Sequence, residues 1–280
     1  MIEYAYYNGV FTPYNAAAIP LSDRSIFFSD AVYDVVVGRG KMLYQFDVHL
    51  ERFFGNARAI GLLNLPDKTE ITEAANELVA LSKADDFMLY IQLSADAQRR
   101  THTREERSVN LLMTVTECEI PKALSEIRAI TLPDMRHRYC NLKTTSLLPS
   151  VLSVEEAKRR GADIAIFHRN GIVTECSYAN ALIVKEDSLL AHPCDADILP
   201  GITQSNIEMC ADLLGIPCEI RPFTVEELYS ADAVMISSTT KLIKLCTEID
   251  GIKLETRGYA TVERLFNALR DNLYTETPLI

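Results

Sequence analysis

The sequence lacks the marks of several classes of protein. No two of its seven cysteines form a C-x-x-C pair, and this odd, scattered set argues against both a disulfide framework and a zinc site. No apolar run approaches the roughly 20 residues that span a bilayer, and no N-terminal stretch joins a basic flank to an apolar core. We therefore expect a protein of the reducing cytoplasm that is neither secreted nor inserted in a membrane.

Positive charge is scarce as well. The chain has 28 basic and 39 acidic residues, a net charge of -11, and its bases are interspersed with acids. An extended surface for nucleic acid is therefore not expected, although a local cationic pocket remains open. The remaining composition, 48% hydrophobic and 24% charged over 280 residues, is that of a folded chain long enough for one large domain or two ordinary ones.

The order of the periodic segments predicts an α/β protein of two domains. Strands come first, with a hairpin over 3–12 around the Asn8-Gly9 turn. A linker over 119–124 contains Pro121, so we place the boundary near residue 120, between domains 1–120 and 121–280. The other predicted strands are 27–37, 87–94, 109–116, 164–168, 181–185, 189–192, 219–222 and 233–237, and the predicted helices are 47–60, 68–82, 151–160, 203–214, 225–230 and 262–273.

Two isolated charges stand in apolar surroundings. Lys143 is flanked by small hydroxyl and apolar residues just before a predicted helix, where desolvation lowers the pKa of an amine and lets it form an imine. Glu175 follows the Asn170-Gly171 turn in a mostly apolar stretch, and a half-buried carboxylate there needs a cation such as a protonated pyridine nitrogen. A solvated lysine and a structural or solvent-facing glutamate are the alternatives.

Three other stretches could bind phosphate. Thr203 is predicted to cap the helix that follows Leu199-Pro200-Gly201, and such a helix terminus binds anions readily. Four hydroxyl residues, 237–240, follow a predicted strand, and Arg52 offers a planar fork of donors. Ordinary capping, a polar loop and a solvated arginine explain the same residues.

A basic connection over 98–104 could bind a carboxylate. Arg100 and His102 are two positions apart, so an extended backbone presents a guanidinium and an imidazole on one face. A solvated charged loop is the alternative. Besides this loop, several short stretches follow one another along the chain: Asp23-Arg24-Ser25, Ser29-Asp30-Ala31-Val32-Tyr33-Asp34, His49-Leu50-Glu51-Arg52, Lys143 with Ser146-Leu147-Leu148-Pro149, His168-Arg169-Asn170 with Val173-Thr174-Glu175, Gly201-Ile202-Thr203 and Ser238-Thr239-Thr240.

In these stretches the chain resembles the class IV, fold-type IV pyridoxal-phosphate aminotransferases over almost its whole length, and among them the D-amino-acid aminotransferases. The resemblance implies a two-domain fold, with a smaller N-terminal α/β domain, a larger C-terminal domain and the cofactor, pyridoxal 5'-phosphate, at their interface. Lys143 would carry the cofactor as a Schiff base and shuttle a proton, and Glu175 would pair with the pyridine nitrogen. The resemblance further assigns cofactor binding to Arg52, Ser177, Asn180, Ile202, Thr203, Ser238 and Thr239, and substrate binding to Tyr33, Arg100, His102 and Thr240.

The implied reaction is ping-pong transamination between D-amino acids and 2-oxo acids, of the D-alanine and 2-oxoglutarate type. The Arg100–His102 pair would bind the α-carboxylate across the interface of a homodimer, and Arg100 is preferred to Arg99 because of its spacing to His102. Alternatives are an aminodeoxychorismate lyase, an L-branched-chain aminotransferase or, more remotely, a cofactor-free binding module. Ser29 and Ala31 stand where the family has glycine, and Asp34 stands where glutamate is more common.

Overall fold

The computed structural model describes residues 3–104 and 108–275. Contacts divide the chain into two units. The first runs to Ile120 and takes in Leu142–Ser146, and the second comprises Pro121–Asn141 and the chain from Leu147 onward. Each unit combines sheet and helices, so the predicted mixed α/β class is confirmed. The segment that carries Lys143 therefore packs with the first unit, although it follows the start of the second along the chain.

The first unit is built on a six-stranded antiparallel sheet. The strand order is β2-β1-β6-β5-β3-β4, and the hairpin predicted around Asn8-Gly9 forms its edge. The elements are β1 (Tyr4–Tyr7), β2 (Val10–Pro13), α1 (Arg24–Phe28), β3 (Ala31–Arg39), β4 (Met42–Leu43), α2 (Phe46–Ala59), α3 (Lys68–Ser82), β5 (Asp86–Ala95) and β6 (Val109–Glu117).

One apolar core joins this sheet to α2 and α3. Leu50 and Phe53 of α2 and Leu78 of α3 are completely buried in it, together with Leu89 and Ile91 of β5. The i, i+3, i+4 spacing of apolar residues on α2 is what places such side chains on one helical face. The helix predicted over 68–82 is confirmed as α3, which begins at Lys68 because the Asp67 side chain caps it.

The strand predicted from Phe27 is wrong in its first four residues. The Asp23 carboxylate accepts the backbone N–H of Ser25 at 2.8 Å and starts the short helix α1 instead. Ser29 ends that helix in the left-handed region at φ 50°, and β3 begins at Ala31. Here a helix cap and a left-handed residue outweigh the β-propensity of the apolar residues between them.

The second unit has a nine-stranded mixed sheet in which β12-β11-β10-β13-β14-β7-β8-β9 are neighbours and β15 pairs with β14. Four of its strands, β7, β9, β14 and β15, were not predicted; β7 runs parallel to both β14 and β8. The elements are β7 (Ser125–Pro133), α4 (Leu148–Arg159), β8 (Ile164–Arg169), β9 (Ile172–Cys176), β10 (Asn180–Lys185), β11 (Ser188–Ala191), α5 (Ile202–Leu213), β12 (Cys218–Ile220), α6 (Val225–Ser230), β13 (Ala233–Ser238), β14 (Leu242–Ile249), β15 (Ile252–Lys253) and α7 (Tyr259–Thr275).

Helices cover this sheet through separate apolar clusters. Ile207 of α5 and Leu265 and Phe266 of α7 are fully buried against one face, and Leu228 of α6 is buried with Phe223 against another cluster. Within residues 3–104 and 108–275, no helix is both long and apolar enough to cross a bilayer.

The start of α5 differs from the prediction. Gly201 is the N-cap, in an extended conformation, and Thr203 is a buried residue within the first turn rather than the cap. A Cβ atom at Gly201 would clash with Oδ1 of Asn180. A close approach of this kind requires glycine at position 201. Because Gly201 is the N-cap, the helix begins at Ile202, one residue before the predicted cap.

Candidate active site

Lys143 lies beside the first residues of β3. The backbone N–H of Tyr33 donates to the Lys143 carbonyl at 2.9 Å, and the N–H of Thr145 donates to the Ala31 carbonyl at 3.1 Å. The Lys143 Nζ atom is 4.6 Å from the centroid of the Tyr33 ring, which stacks on Tyr90 at 5.4 Å. Backbone pairing thus fixes the lysine, and an aromatic face, which attracts cations, lies against its amine.

Asp34, the next residue of β3, is the centre of a buried ionic cluster. Its carboxylate accepts two hydrogen bonds from Arg52, from Nε at 2.9 Å and Nη2 at 2.8 Å. Nδ1 of His49 lies 2.8 Å from the same carboxylate, and the Asp34 side chain is fully buried. This bidentate pairing fixes the plane of the Arg52 guanidinium.

The charges in this cluster follow from burial and pairing. Burial alone would raise the pKa of Asp34, but the hydrogen bonds and charges of His49 and Arg52 outweigh it and hold that pKa well below its ordinary value. Burial lowers the pKa of His49, and the nearby positive charges of Arg52 and Lys143 reinforce this against the opposing effect of Asp34. The cluster is therefore an ionised carboxylate held between a guanidinium and an imidazole.

The basic loop brings Arg100 and His102 to one aromatic ring. The guanidinium carbon of Arg100 is 5.3 Å from the centroid of Phe28, and the His102 ring meets Phe28 edge to face at 5.5 Å. Both side chains belong to exposed residues of the first unit. Arg24 donates to the carbonyl of Thr101, between them, at 2.7 Å. The guanidinium and the imidazole thus pack against the same aromatic ring.

In the second unit, Glu175 of β9 is buried with both oxygens engaged. One accepts a hydrogen bond from Arg136, and the other accepts from Asn180 Nδ2 at 3.2 Å and from the Leu199 N–H at 3.2 Å. Arg136 is in turn held by Asp134, through Nε at 2.9 Å and Nη2 at 2.7 Å. The Glu175 carboxylate is therefore fixed in position by a paired guanidinium and two amide donors.

The pKa values of this ion-paired group shift as its burial and contacts require. Burial would raise the pKa of Asp134, but the hydrogen bonds and charge of Arg136, together with the charge of Arg169, lower it below its usual value. Burial would lower the pKa of Arg136, yet its contacts with Asp134 and Glu175 raise it. The group thus consists of charged partners that compensate one another, which is what allows them to be buried.

The start of α5 belongs to the same neighbourhood as Glu175. The Asn180 amide that contacts Glu175 also donates to the Leu199 carbonyl at 2.9 Å, and Gly201 packs against Asn180. In the sheet, Asn180 of β10 is paired with Ser237 of β13. The structure therefore brings Glu175 and Asn180 together with the start of α5, where Ile202 and Thr203 lie. The end of β13 is next along the sheet: Ser238 is the last residue of that strand, and Thr239 and Thr240 follow in the turn.

Ser177 lies in different surroundings. Its hydroxyl is 3.0 Å from the Ser153 hydroxyl of α4 and accepts the backbone N–H of Ala165 in β8 at 3.3 Å. These contacts join a strand to a helix inside the second unit. Its predicted contact with a cofactor stays a prediction.

No role was predicted from the sequence for Asp34, His49, Asp134 or Phe28. A signal was present for the first pair, because Asp34 interrupts an apolar strand and His49 and Arg52 share a helical face at i, i+3. Asp134 and Arg136 are two residues apart after β7, a strand that was not predicted. For Phe28 the misassigned strand removed the signal, since its place on α1 depends on the Asp23 cap.

Comparisons with known proteins give the same class. The sequence matches the class IV amino-transferase family over residues 31–249. It is similar to the D-alanine aminotransferase of Listeria monocytogenes serotype 1/2a (strain 10403S), with 33% identity over 244 residues, 85% of this chain and 84% of the relative. Its fold is similar to the branched-chain aminotransferase of the archaeon Thermoproteus uzoniensis with norvaline, at a TM-score of 0.88 and 24% identity over 98% of this chain and 96% of the other. The branched-chain enzyme of Thermobaculum terrenum, in its PLP-bound holo form, gives a TM-score of 0.87 and 19% identity, covering 98% of this chain and 94% of the other.

The chain belongs to the class IV aminotransferases. The predicted fold type is confirmed, and pyridoxal 5'-phosphate, the predicted cofactor, is the cofactor of this class. The substrates of the class are amino acids and oxo acids. The likeness to the branched-chain enzymes, at 24% identity or less, concerns the fold alone.

The residues present suit that cofactor. An amine, a fixed guanidinium and a fixed carboxylate stand at Lys143, Arg52 and Glu175. The Ser237 hydroxyl is buried and has no hydrogen-bond partner within the described part of the chain, so it can bond to a further group near the start of α5. The guanidinium in the first unit, and the helix start and hydroxyls in the second, are each donors of the kind that bind a phosphate group.

Proposed function

We propose that the protein transfers amino groups between D-amino acids and 2-oxo acids. The observation that carries the proposal is the meeting of Arg100 and His102 on the Phe28 ring, because a guanidinium and an imidazole held together are suited to binding a carboxylate. Identity of 33% to a D-alanine aminotransferase supports the same substrate class. Of the two neighbouring arginines, Arg100 is the one packed on the same ring as His102, and we propose it rather than Arg99 as the ligand.

Lys143 performs the proton transfer in this proposal. Pyridoxal 5'-phosphate, when bound, supplies an electron sink for the negative charge that develops at the substrate Cα. Lys143 would hold the cofactor through its amine, and the same amine would accept the Cα proton at Nζ. The backbone bond to Tyr33 and the Tyr33 ring keep that amine in one place.

The other predicted residues would hold and orient the cofactor. Glu175, fixed by Arg136 and Asn180, would pair with the ring nitrogen and favour its protonated form. Arg52 would bind the phosphate with a fork that Asp34 has already oriented. The remaining phosphate donors in the proposal are Ile202 and Thr203 at the start of α5, and Ser238 and Thr239 at the end of β13.

Substrate orientation would set the stereochemistry. Arg100 and His102, with Tyr33 and Thr240 as further contacts, would fix the α-carboxylate. With the amino nitrogen held at the cofactor and the α-carboxylate held by this pair, only one enantiomer would present its Cα hydrogen to Lys143. A D-substrate is the enantiomer that the resemblance to D-amino-acid aminotransferases supports.

We further propose that the protein acts as a cytoplasmic homodimer. Leu148, Val151 and Leu152 of α4 are 67, 53 and 60% exposed. Their i, i+3, i+4 spacing makes an apolar stripe, which a second copy of the chain would cover. The seven cysteines are free thiols, which suits a reducing compartment.

A double substitution tests the substrate class. Replacing Arg100 and His102 together by alanine should raise KM for D-alanine about 10- to 100-fold, because a desolvated carboxylate loses its charged partners, a cost of about 1–3 kcal/mol. The exposed Arg138, replaced by alanine, is the control and should leave KM unchanged. An unaltered KM in the double variant would contradict the assignment of Arg100 and His102 to the carboxylate. Turnover of L-leucine with none of D-alanine would favour the branched-chain alternative.

A further inference from the structure

We propose that Phe28 is a positioning residue for carboxylate recognition, whose ring holds Arg100 and His102 in their working orientation. The inference rests on the proposed function. It assigns to a non-polar residue the role of setting substrate affinity without touching the substrate. Three groups around the ring carry it.

The ring of Phe28 contacts three cationic or basic side chains. The guanidinium carbon of Arg24 is 4.6 Å from its centroid and that of Arg100 is 5.3 Å away, while the His102 ring meets it edge to face at 5.5 Å. Phe27, the neighbouring aromatic residue, approaches Arg100 at 5.8 Å. Phe28 is thus the ring that Arg100 and His102 have in common.

The backbone of the loop is tied to the same short helix. Arg24, on the first turn of α1, donates to the Thr101 carbonyl at 2.7 Å, and its Nε donates to Asp30 at 2.7 Å. Asp30 also accepts from Nε of Arg104 at 2.8 Å. Burial alone would raise the pKa of Asp30, but its two arginine partners lower it below its usual value, so the carboxylate is ionised and both ties hold.

These ties hold the loop through Thr101 and Arg104. Arg100 and His102 are exposed, and a long exposed arginine loses rotamer freedom when it binds a ligand. Packing against the negative face of an aromatic ring restricts that freedom before the ligand arrives, and preorganisation of this kind is what raises affinity. Phe28 is the last residue of α1, so the helix fixes the backbone from which its ring projects.

The test is the substitution Phe28→Leu, with Phe27→Leu as the matched control. Phe28→Leu should raise KM for D-alanine about five- to tenfold with kcat within twofold, because Arg100 and His102 lose their common ring while the proton-transfer residues are untouched. Phe27→Leu should change KM less than twofold, and Phe28→Tyr, which keeps the ring, should restore it. Turnover of ethylamine, which is D-alanine without its carboxylate, should be the same in every variant.

A double-mutant cycle separates positioning from a general structural effect. In a background of Arg100→Ala and His102→Ala, Phe28→Leu should have no further effect on KM, since Phe28 acts through those two side chains. An equal rise in KM in both backgrounds, or no rise in the wild-type background, overturns the inference. Cofactor absorbance and melting temperature report folding, and unchanged ethylamine turnover shows that the leucine variant keeps a working active site.

Failure of the proposed function has a different outcome. In that case the wild-type protein turns over an L-amino acid and not D-alanine. The same cycle is then measured with that L-substrate. Coupling between Phe28 and the Arg100–His102 pair in KM supports the inference, and its absence overturns it.

Discussion

The backbone N–H of Tyr33 donates a hydrogen bond to the carbonyl oxygen of Lys143 at 2.9 Å. The side chains meet as well, with the Lys143 Nζ atom 4.6 Å from the centre of the Tyr33 ring. Since β3 is paired along its other edge with β5, Lys143 is fixed to a strand inside a sheet rather than carried on a free loop. Such support suits the proton transfer that we propose for Lys143.

Asp34→Asn tests the buried ionic cluster of the first unit. Loss of the carboxylate leaves Arg52 without its buried partner, and the free energy of unfolding should fall by about 3 kcal/mol, measured by urea titration. Affinity for pyridoxal 5'-phosphate should fall with it. Asp47→Asn is the control, because that carboxylate is 78% exposed on α2, and it should cost less than about 0.5 kcal/mol.

The stability difference between wild type and Asp34→Asn should also depend on pH. Because the pKa of Asp34 is depressed in the folded protein, its contribution to stability is full above the pKa of the unfolded chain, about 3.9. That contribution is lost as the pH falls from there towards the depressed value. The stability difference between wild type and Asp34→Asn should therefore shrink on acidification below about pH 4, and a difference that grows instead would contradict the assignment.

Glu175→Gln tests the carboxylate proposed to face the ring nitrogen. An amide still fills the space beside Arg136, but it removes the negative charge that would favour a protonated ring nitrogen. We therefore expect kcat to fall about 10- to 100-fold, while KM for D-alanine changes little. Glu156→Gln on the surface of α4 is the control and should leave both constants unchanged. A Glu175→Gln enzyme with wild-type kcat would assign the glutamate to structure alone.

Gly201→Ala tests the close approach at the start of α5. The added Cβ atom would clash with the Asn180 side chain, so both must shift, at a cost of about 1–3 kcal/mol in unfolding free energy and with weaker cofactor binding. Gly55→Ala is the control within α2, where the described residues leave open space around an added Cβ, and it should instead stabilise by about 0.5–1 kcal/mol. Equal effects at the two glycines, read from melting curves, would contradict the packing described.

Local patterns were enough for many elements. The α3 helix is marked by its Asp67 cap, and the first hairpin by the Asn8-Gly9 turn, because caps and turns act over a few residues. The α1 helix was missed because its apolar residues read equally well as strand. The N-cap of α5 was misplaced because the close approach of Gly201 to Asn180 joins distant parts of the sequence.

The candidate site shows the same limit. Arg52 could be recognised from its motif, but its partner Asp34 lies 18 residues earlier on a different element. Likewise the support of Arg100 by Phe28 joins a loop to a helix 72 residues before it. Contacts of this kind are set by tertiary packing, which periodicity within a single segment does not encode.

The most direct test of the account is a titration of the purified protein, reconstituted with pyridoxal 5'-phosphate, with D-alanine and then with L-alanine and L-leucine. The visible absorbance of the bound cofactor should be lost on addition of D-alanine and regained on addition of a 2-oxo acid. Lys143→Ala should lack the wild-type band and lose activity by at least about 1000-fold. Conversion by L-leucine but not by D-alanine, or a wild-type band that persists without Lys143, would contradict the account.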